Sequence, residues 1–294
     1  MVDTPQLKVA VEEQSMPILL TRRSLAATAA AFVLTKLKGA DAAPICPPTT
    51  QHLTTAAANL VKAYPKFIRS ADEHQVVWMD GEVMPTQLYP AGRTAAEKLA
   101  HPDLASQLAL AYPKIRCALP TEPNGDPGRI RYIPFFEKLY GNSHRSVANN
   151  LVRIRWPTRQ PGGTLEVTSV NGVADKLEEV ASALSNLPNS FHRFFNNPAG
   201  GFYWRSIAGT SRLSAHSFGI AVDINVSLSD YWRNELGRTQ GEPAEWRPKR
   251  ARSRIPYEIV DIFENHGFIW GGKWFHYDTM HFEYRPELLI EHAP

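Results

Sequence analysis

The chain has 294 residues, enough to bury a large core as one domain or two small ones. With 43% hydrophobic and 21% charged residues it has the balance of an ordinary globular protein. A formal net charge of +3, scattered along the chain, excludes the strongly basic surface that nucleic acid or an anionic membrane would demand.

Residues 1–42 predict an export signal. Thr21-Arg22-Arg23-Ser24-Leu25 opens an apolar run, Ala26 to Leu34, too short to span a bilayer as a mature helix. Ala40-Asp41-Ala42 supplies an Ala-x-Ala cleavage pattern. The arginine pair resembles the twin-arginine signal, with Lys36, Lys38 and the long stretch before the pair as departures from it. The expected mature protein is periplasmic or held in the cell envelope and has no membrane span. Cys46 and Cys117 lie beyond the cleavage point, where they are either a disulfide or two unrelated thiols.

Residues 43–128 form a segment of unknown role and 129–294 the domain that carries the chemistry. In the first, helical spacing marks 51–63, ended by Pro65, and Val76 to Gly81 reads as a strand entering a turn. Residues 95–111 read as a helix broken at Pro102, and Pro120 to Gly128 as a loop. In the second, a short helix over 135–140 is closed by Gly141. Strands are expected at 149–156 and 165–170, with a helix over 173–187. Ala221 to Val226 reads as a strand that puts Asp223, Asn225 and Ser227 on one face, Tyr257 to His266 as a helix, and Phe282 to Tyr284 as a last strand. Arg247 to Arg254 is the one basic run, read as a solvated loop. Strands and helices do not alternate regularly, so the fold class expected is α+β with a small antiparallel sheet.

Two patterns carry chemistry. His216 and Asp223 bracket a turn and a strand, and His281 arrives from the far end of the chain behind Asp278. Two imidazoles and a carboxylate are a donor set for one zinc ion, with a fourth position left for water. Asp278, three residues before His281, is placed to take a proton from that water.

Ser214-Ala-His216-Ser-Phe-Gly219-Ile-Ala221-Val-Asp223, with His266 to Trp274 and Asp278-Thr-Met-His281-Phe-Glu283, resembles the VanY-type D-alanyl-D-alanine carboxypeptidases and L-alanyl-D-glutamate endopeptidases. The resemblance implies a hedgehog/DD-peptidase-like fold, zinc held by His216, Asp223 and His281, Asp278 as general base, and peptidoglycan peptides as partners. It also implies an arginine upstream of the first motif that stabilises the developing oxyanion: Arg205, with Arg212 as the other candidate. Four neighbours have open roles. Ser214 either hydrogen-bonds a ligand or begins the turn. His276 either contacts the intermediate or stands exposed beside Trp274. Glu283 either orients the His281 imidazole or is a surface residue, and Arg212 is otherwise a substrate clamp or a surface charge. Of Phe268, Trp270, Trp274 and Tyr277, some are core and one or two wall the cleft. The alternative function is an inactive wall-binding module that keeps the fold. A lysostaphin-like peptidase fits poorly, given the wide His–Asp spacing and the lack of a final His-x-His.

Overall fold

The computed structural model of the protein describes residues 45–46, 49–117, 122–158, 163–207, 209–236 and 254–290. The predicted export signal, its cleavage pattern and all of the basic run except Arg254 lie outside the described residues.

The first described strand, β1 (Thr49–Thr50), leads into α1 (Leu53–Ala63), whose Ala56, Leu60 and Ala63 recur at helical spacing and are buried. Tyr64 follows, fully buried, and its hydroxyl donates to Glu287 Oε2 at 2.7 Å. An antiparallel meander comes next: β2 (Ile68–Ala71), β3 (Gln75–Trp78) and β4 (Val83–Pro85), of which only β3 was legible in the sequence. The helix expected over 95–111 is in fact two short helices and a strand. α2 (Ala95–Ala100) starts on a Thr94–Glu97 capping box, and α3 (Leu104–Gln107) starts anew after Pro102, where the Asp103 carboxylate accepts from Ser106 N at 2.9 Å. Beyond it, β5 (Leu110–Ala111) pairs with β1, which draws the backbone out of helix.

Of the two readings of the cysteines, the disulfide is the one found: Cys46 and Cys117 are joined across 71 positions of sequence. The segment ending at Cys117 is also fastened by side chains. Tyr112 OH donates to Glu264 at 2.5 Å and accepts from Trp270 N, and Lys273 Nζ donates to Pro113 O at 2.7 Å. Replacing both cysteines by serine is expected to lower the unfolding free energy by about 4 kcal/mol, the loop-closure value for a loop of this length. The urea midpoint checks it, and an unshifted midpoint would assign the fastening to the hydrogen bonds alone.

Residues 122–131 run back along the site and lead into α4 (Ile133–Tyr140), which buries Phe135, Phe136, Leu139 and Tyr140 and stops at Gly141. α5 (His144–Ala148) has its own capping box. The hairpin of β6 (Leu151–Arg155) and β7 (Thr164–Thr168) then lies against α6 (Val173–Ser185) through Leu177, Val180 and Leu184. After the single turn α7 (Asn189–His192), the chain reaches the sheet that organises the site.

That sheet has three antiparallel strands in the order β8 (Ala221–Asp223), β10 (His281–Tyr284), β9 (Phe268–Trp270). The one-turn helix α8 (Arg233–Leu236) and α9 (Tyr257–Asn265) separate β8 from β9 in sequence. α9 packs Phe263 face to face on Phe282 of β10, with ring centroids 3.8 Å apart. The fold is therefore α+β with small antiparallel sheets, as expected, and Ala42–Pro294 forms one compact unit. β8 is shorter than the 221–226 read from sequence. Asn225 turns its side chain back to accept from Ser227 N at 3.1 Å, so the strand becomes a 3₁₀ turn and Asn225 and Ser227 leave the face of Asp223.

Candidate metal centre and its cleft

Asp223 on β8 lies directly opposite His281 on β10 in the antiparallel register. Opposed residues point to the same face, so this register alone brings a carboxylate to an imidazole. His216 comes from the 3₁₀ turn Ala215–Phe218 just before β8. Gly219 lets the chain reverse there: its φ is +68°, and a Cβ would meet Thr168 N at 2.9 Å. One ligand atom from each of His216, Asp223 and His281 lies within 4.8 Å of the others.

Both imidazoles are oriented from behind. His216 Nδ1 lies 2.6 Å from Gly201 O, so it carries the proton, and Nε2 turns its lone pair inward. Gly201 admits no side chain, because a Cβ would stand 2.3 Å from Glu166 O. His281 is held the other way round: Nε2 lies 3.3 Å from Glu283 Oε2, and Nδ1 lies 3.0 Å from Asp223 Oδ1. Glu283 is itself gripped by the Arg131 guanidinium and by Arg285. Arg285 in turn bonds Glu287, so alternating charges run from His281 to Tyr64 at the end of α1.

These residues fit a dication. His216 Nε2 is buried without a hydrogen bond, 3.2 Å from an acceptor oxygen of Asp223, and Asp278 Oδ1 is also buried without a partner. Orphaned buried acceptors are costly, and several aimed at one point are a site for a cation. In the metal-free protein a proton does part of that work. Burial alone would lower the His281 pKa, yet its hydrogen bonds to Asp223 and Glu283 hold it up at about 10. Burial works against the charged form of Asp223 too, but His216 and His281 keep its carboxyl well below the usual range. Asp278 moves the other way: burial and the Asp223 charge push it up to about 6.

The triad opens into a cavity of about 250 Å³. Arg205, Arg212, Ser214, His276 and Asp278 all line it. Ser214 begins the turn, its hydroxyl accepting from His216 N at 3.4 Å. Glu283 is fully buried, so of its two readings the surface one falls away. His276 is 2% exposed and is not a solvent-facing neighbour of Trp274. Its Nδ1 lies 2.5 Å from Asp126 in the 122–131 loop, a pairing distant in sequence. Of the four aromatics, only Trp274 walls the cavity, while Phe268 and Trp270 are core and Tyr277 packs with Trp232 and Phe275. His266 bonds Ile262 O and closes α9, away from the cavity.

Sequence reasoning missed Arg129, Arg131, Tyr231, Trp232 and Arg233, which also line the cavity. The alternating Arg129-Ile130-Arg131 after a turn-rich loop was the available signal for the first pair. Arg233 gave none beyond its aromatic neighbours.

Residues 208–284 match a family model described as D-alanyl-D-alanine carboxypeptidase. Over that span the chain is similar to the VanY-type family. The VanY-type span contains His216, Asp223, Asp278, His281 and Glu283, with Arg205 just ahead of it. The likeness supports a peptidase that acts on peptidoglycan. No curated protein matches the chain. No helix among the described residues is long and apolar enough to cross a membrane.

Proposed function

We propose that the protein is an exported zinc peptidase that hydrolyses peptide bonds in peptidoglycan stem peptides, of the D-alanyl-D-alanine or L-alanyl-D-glutamate type. Residues 1–42 are its export signal, 129–294 its catalytic domain, and 43–128 a segment stapled to that domain. The observation that carries the reading is the convergence of His216, Asp223 and His281 beside the unpartnered Asp278 carboxylate.

His216 Nε2, an Asp223 oxygen and His281 Nδ1 would hold the zinc. Bound there, zinc supplies Lewis acidity that brings a water within reach of ionisation near neutral pH, and it polarises the scissile carbonyl. Asp278 accepts the water proton while the oxygen adds to the carbonyl carbon, then returns that proton to the leaving nitrogen as the C–N bond breaks. A carboxyl raised to about 6 is matched to both halves of this task. Arg205 at the cavity mouth faces the charge that builds on the carbonyl oxygen. Glu283, through Arg131, keeps the His281 ring from rotating.

Incubation of the zinc-loaded mature protein with purified muropeptides should yield new termini, read by mass spectrometry, that Asp278→Ala and His281→Ala do not yield. If the wild type and both variants leave the muropeptides intact, the enzyme reading is lost. Zinc at about 1,000 times its dissociation constant should also stabilise the fold by about 4 kcal/mol, because the ligands are assembled only in the folded chain. A melting curve unmoved by chelation would argue against the site.

A further inference from the structure

The segment 43–128 has no part in the mechanism above, yet it forms one side of a second opening. Tyr89, His101 and Pro102 of that segment line an open groove of about 450 Å³, together with Tyr132 and Pro134 at the start of α4 and Arg212. Arg212 belongs to the small hairpin that the Ser206–Leu213 bridge closes. The same side chain lines the cavity of the triad, so groove and cavity adjoin there.

The walls of the groove are set in advance. The Tyr89 ring is 38% exposed, yet the Arg93 guanidinium carbon lies 4.4 Å from its centroid. Arg93 is itself tied to the buried Asp103 at 3.0 Å and to His101 O at 2.6 Å. Tyr132 is held through its backbone, whose N donates to Gln107 Oε1 at 2.7 Å. Burial, then the charges of Tyr89 and Asp103, raise the Tyr132 pKa, so its phenol stays protonated and able to donate. Among the described residues, the fixed charges lining the groove are Arg212 and Glu137, one of each sign. Flat rings and proline faces with a few polar groups between them, and no net charge, suit a ligand that is neutral, part apolar and rich in hydrogen-bonding groups. A pyranose has that character: its C–H faces lie on aromatic rings, and its hydroxyl and acetamido groups take hydrogen bonds at the edge.

Resting on the peptidase reading, we propose that this groove holds a neutral N-acetylated sugar of the glycan that carries the stem peptide, while the cavity holds the bond to be cut. The sugar is joined to the stem through an amide, so it brings no charge at the junction. One residue separates it from an L-alanyl-D-glutamate bond and four from a D-alanyl-D-alanine bond, about 3.5 and 14 Å of extended chain. Binding energy from this remote part of the substrate then raises kcat/KM at the reacting centre. The segment 43–128 thereby distinguishes a glycan-linked stem from a free peptide.

The test compares two substrates that differ only in the sugar: a disaccharide-pentapeptide, and the same pentapeptide with a D-lactoyl cap. The pentapeptide contains both candidate bonds. kcat/KM of the zinc-loaded protein should favour the sugar-bearing substrate by about tenfold. Tyr89→Ala should bring that ratio close to one, and Tyr89→Phe, which keeps the ring, should retain most of it. Urea midpoints of both variants check that the fold is kept. Saturation-transfer NMR with the disaccharide as its lactyl methylamide, which has no stem bond to cut, gives a readout free of turnover. Transfer to its ring and acetyl protons in the wild type, lost in Tyr89→Ala, together with no cleavage of either substrate, would keep the groove and sink the hydrolase. A wild-type ratio of one overturns the sugar site, as does a preference that survives in Tyr89→Ala. An equal loss on both substrates in Tyr89→Ala would put the peptide in the groove and overturn it too. Where neither substrate is cut, the absence of transfer to the disaccharide overturns it.

Discussion

Asp278→Asn is expected to abolish hydrolysis and, at the same time, to make the metal-free protein more stable above pH 7. The loss of activity should reach about 10²- to 10⁴-fold, the usual worth of a positioned general base. The gain in stability follows from linkage. The carboxyl is raised from 3.8 to about 6 by burial and by Asp223, so the folded chain holds this proton more tightly than the unfolded chain does. Its contribution to stability is fully present below about pH 4 and is lost as the pH rises through 6. Two pKa units then cost about 3 kcal/mol at pH 8, which the neutral amide does not incur. Denaturant unfolding of both proteins in the presence of a chelator, at pH 8 and again at pH 4, tests this. A gap at pH 8 that closes at pH 4 is the expected pattern, and identical midpoints at pH 8 would remove the claim that Asp278 is strained towards its role. Catalytic groups held against their own preference are a common source of such trade-offs.

Arg131→Met should act in the opposite direction, with a loss of about 3–5 kcal/mol, because it leaves the fully buried Glu283 short of its main counter-charge. Burial opposes ionisation of Glu283, and the Arg131 guanidinium is the largest influence holding its carboxyl below the usual range. Without it, the carboxylate that orients His281 Nε2 is no longer secured, so zinc affinity should fall by about 10- to 100-fold as well. The double variant Arg131→Met with Glu283→Gln should lose much less stability than the sum of the single changes, since the uncompensated charge goes with its partner. Competition for zinc with a chromogenic chelator and urea midpoints report the two effects separately. Additive single effects, with zinc affinity unchanged, would show that Glu283 is only a packing residue.

Much of the frame was legible because it is local. The spacing of Ala56, Leu60 and Ala63, of Phe135, Phe136 and Leu139, and of Leu177, Val180 and Leu184 follows the helical period, and proline or glycine ends each run. Errors arose where a long-range partner overrides local preference. Leu110–Ala111 is a strand only because β1 lies beside it, and Asn225 ends β8 because its own side chain competes for the backbone. The same division runs through the site. An exposed His276 and a surface Glu283 stay open as readings until Asp126 arrives from 150 positions away to meet the first and Arg131 covers the second from 152.

The order of residues by itself determined the chemical inventory: two imidazoles, a carboxylate and a second aspartate at spacings that a turn and a strand can bring together, in a chain of α+β pattern. Only the tertiary structure decided that Asp223 and His281 stand opposite one another, that Cys46 meets Cys117, and that five arginines share one cavity with the triad. The reason is physical. Donor identity is a property of each side chain, whereas charge balance and direction belong to neighbours that the sequence keeps far apart and strand register alone sets side by side.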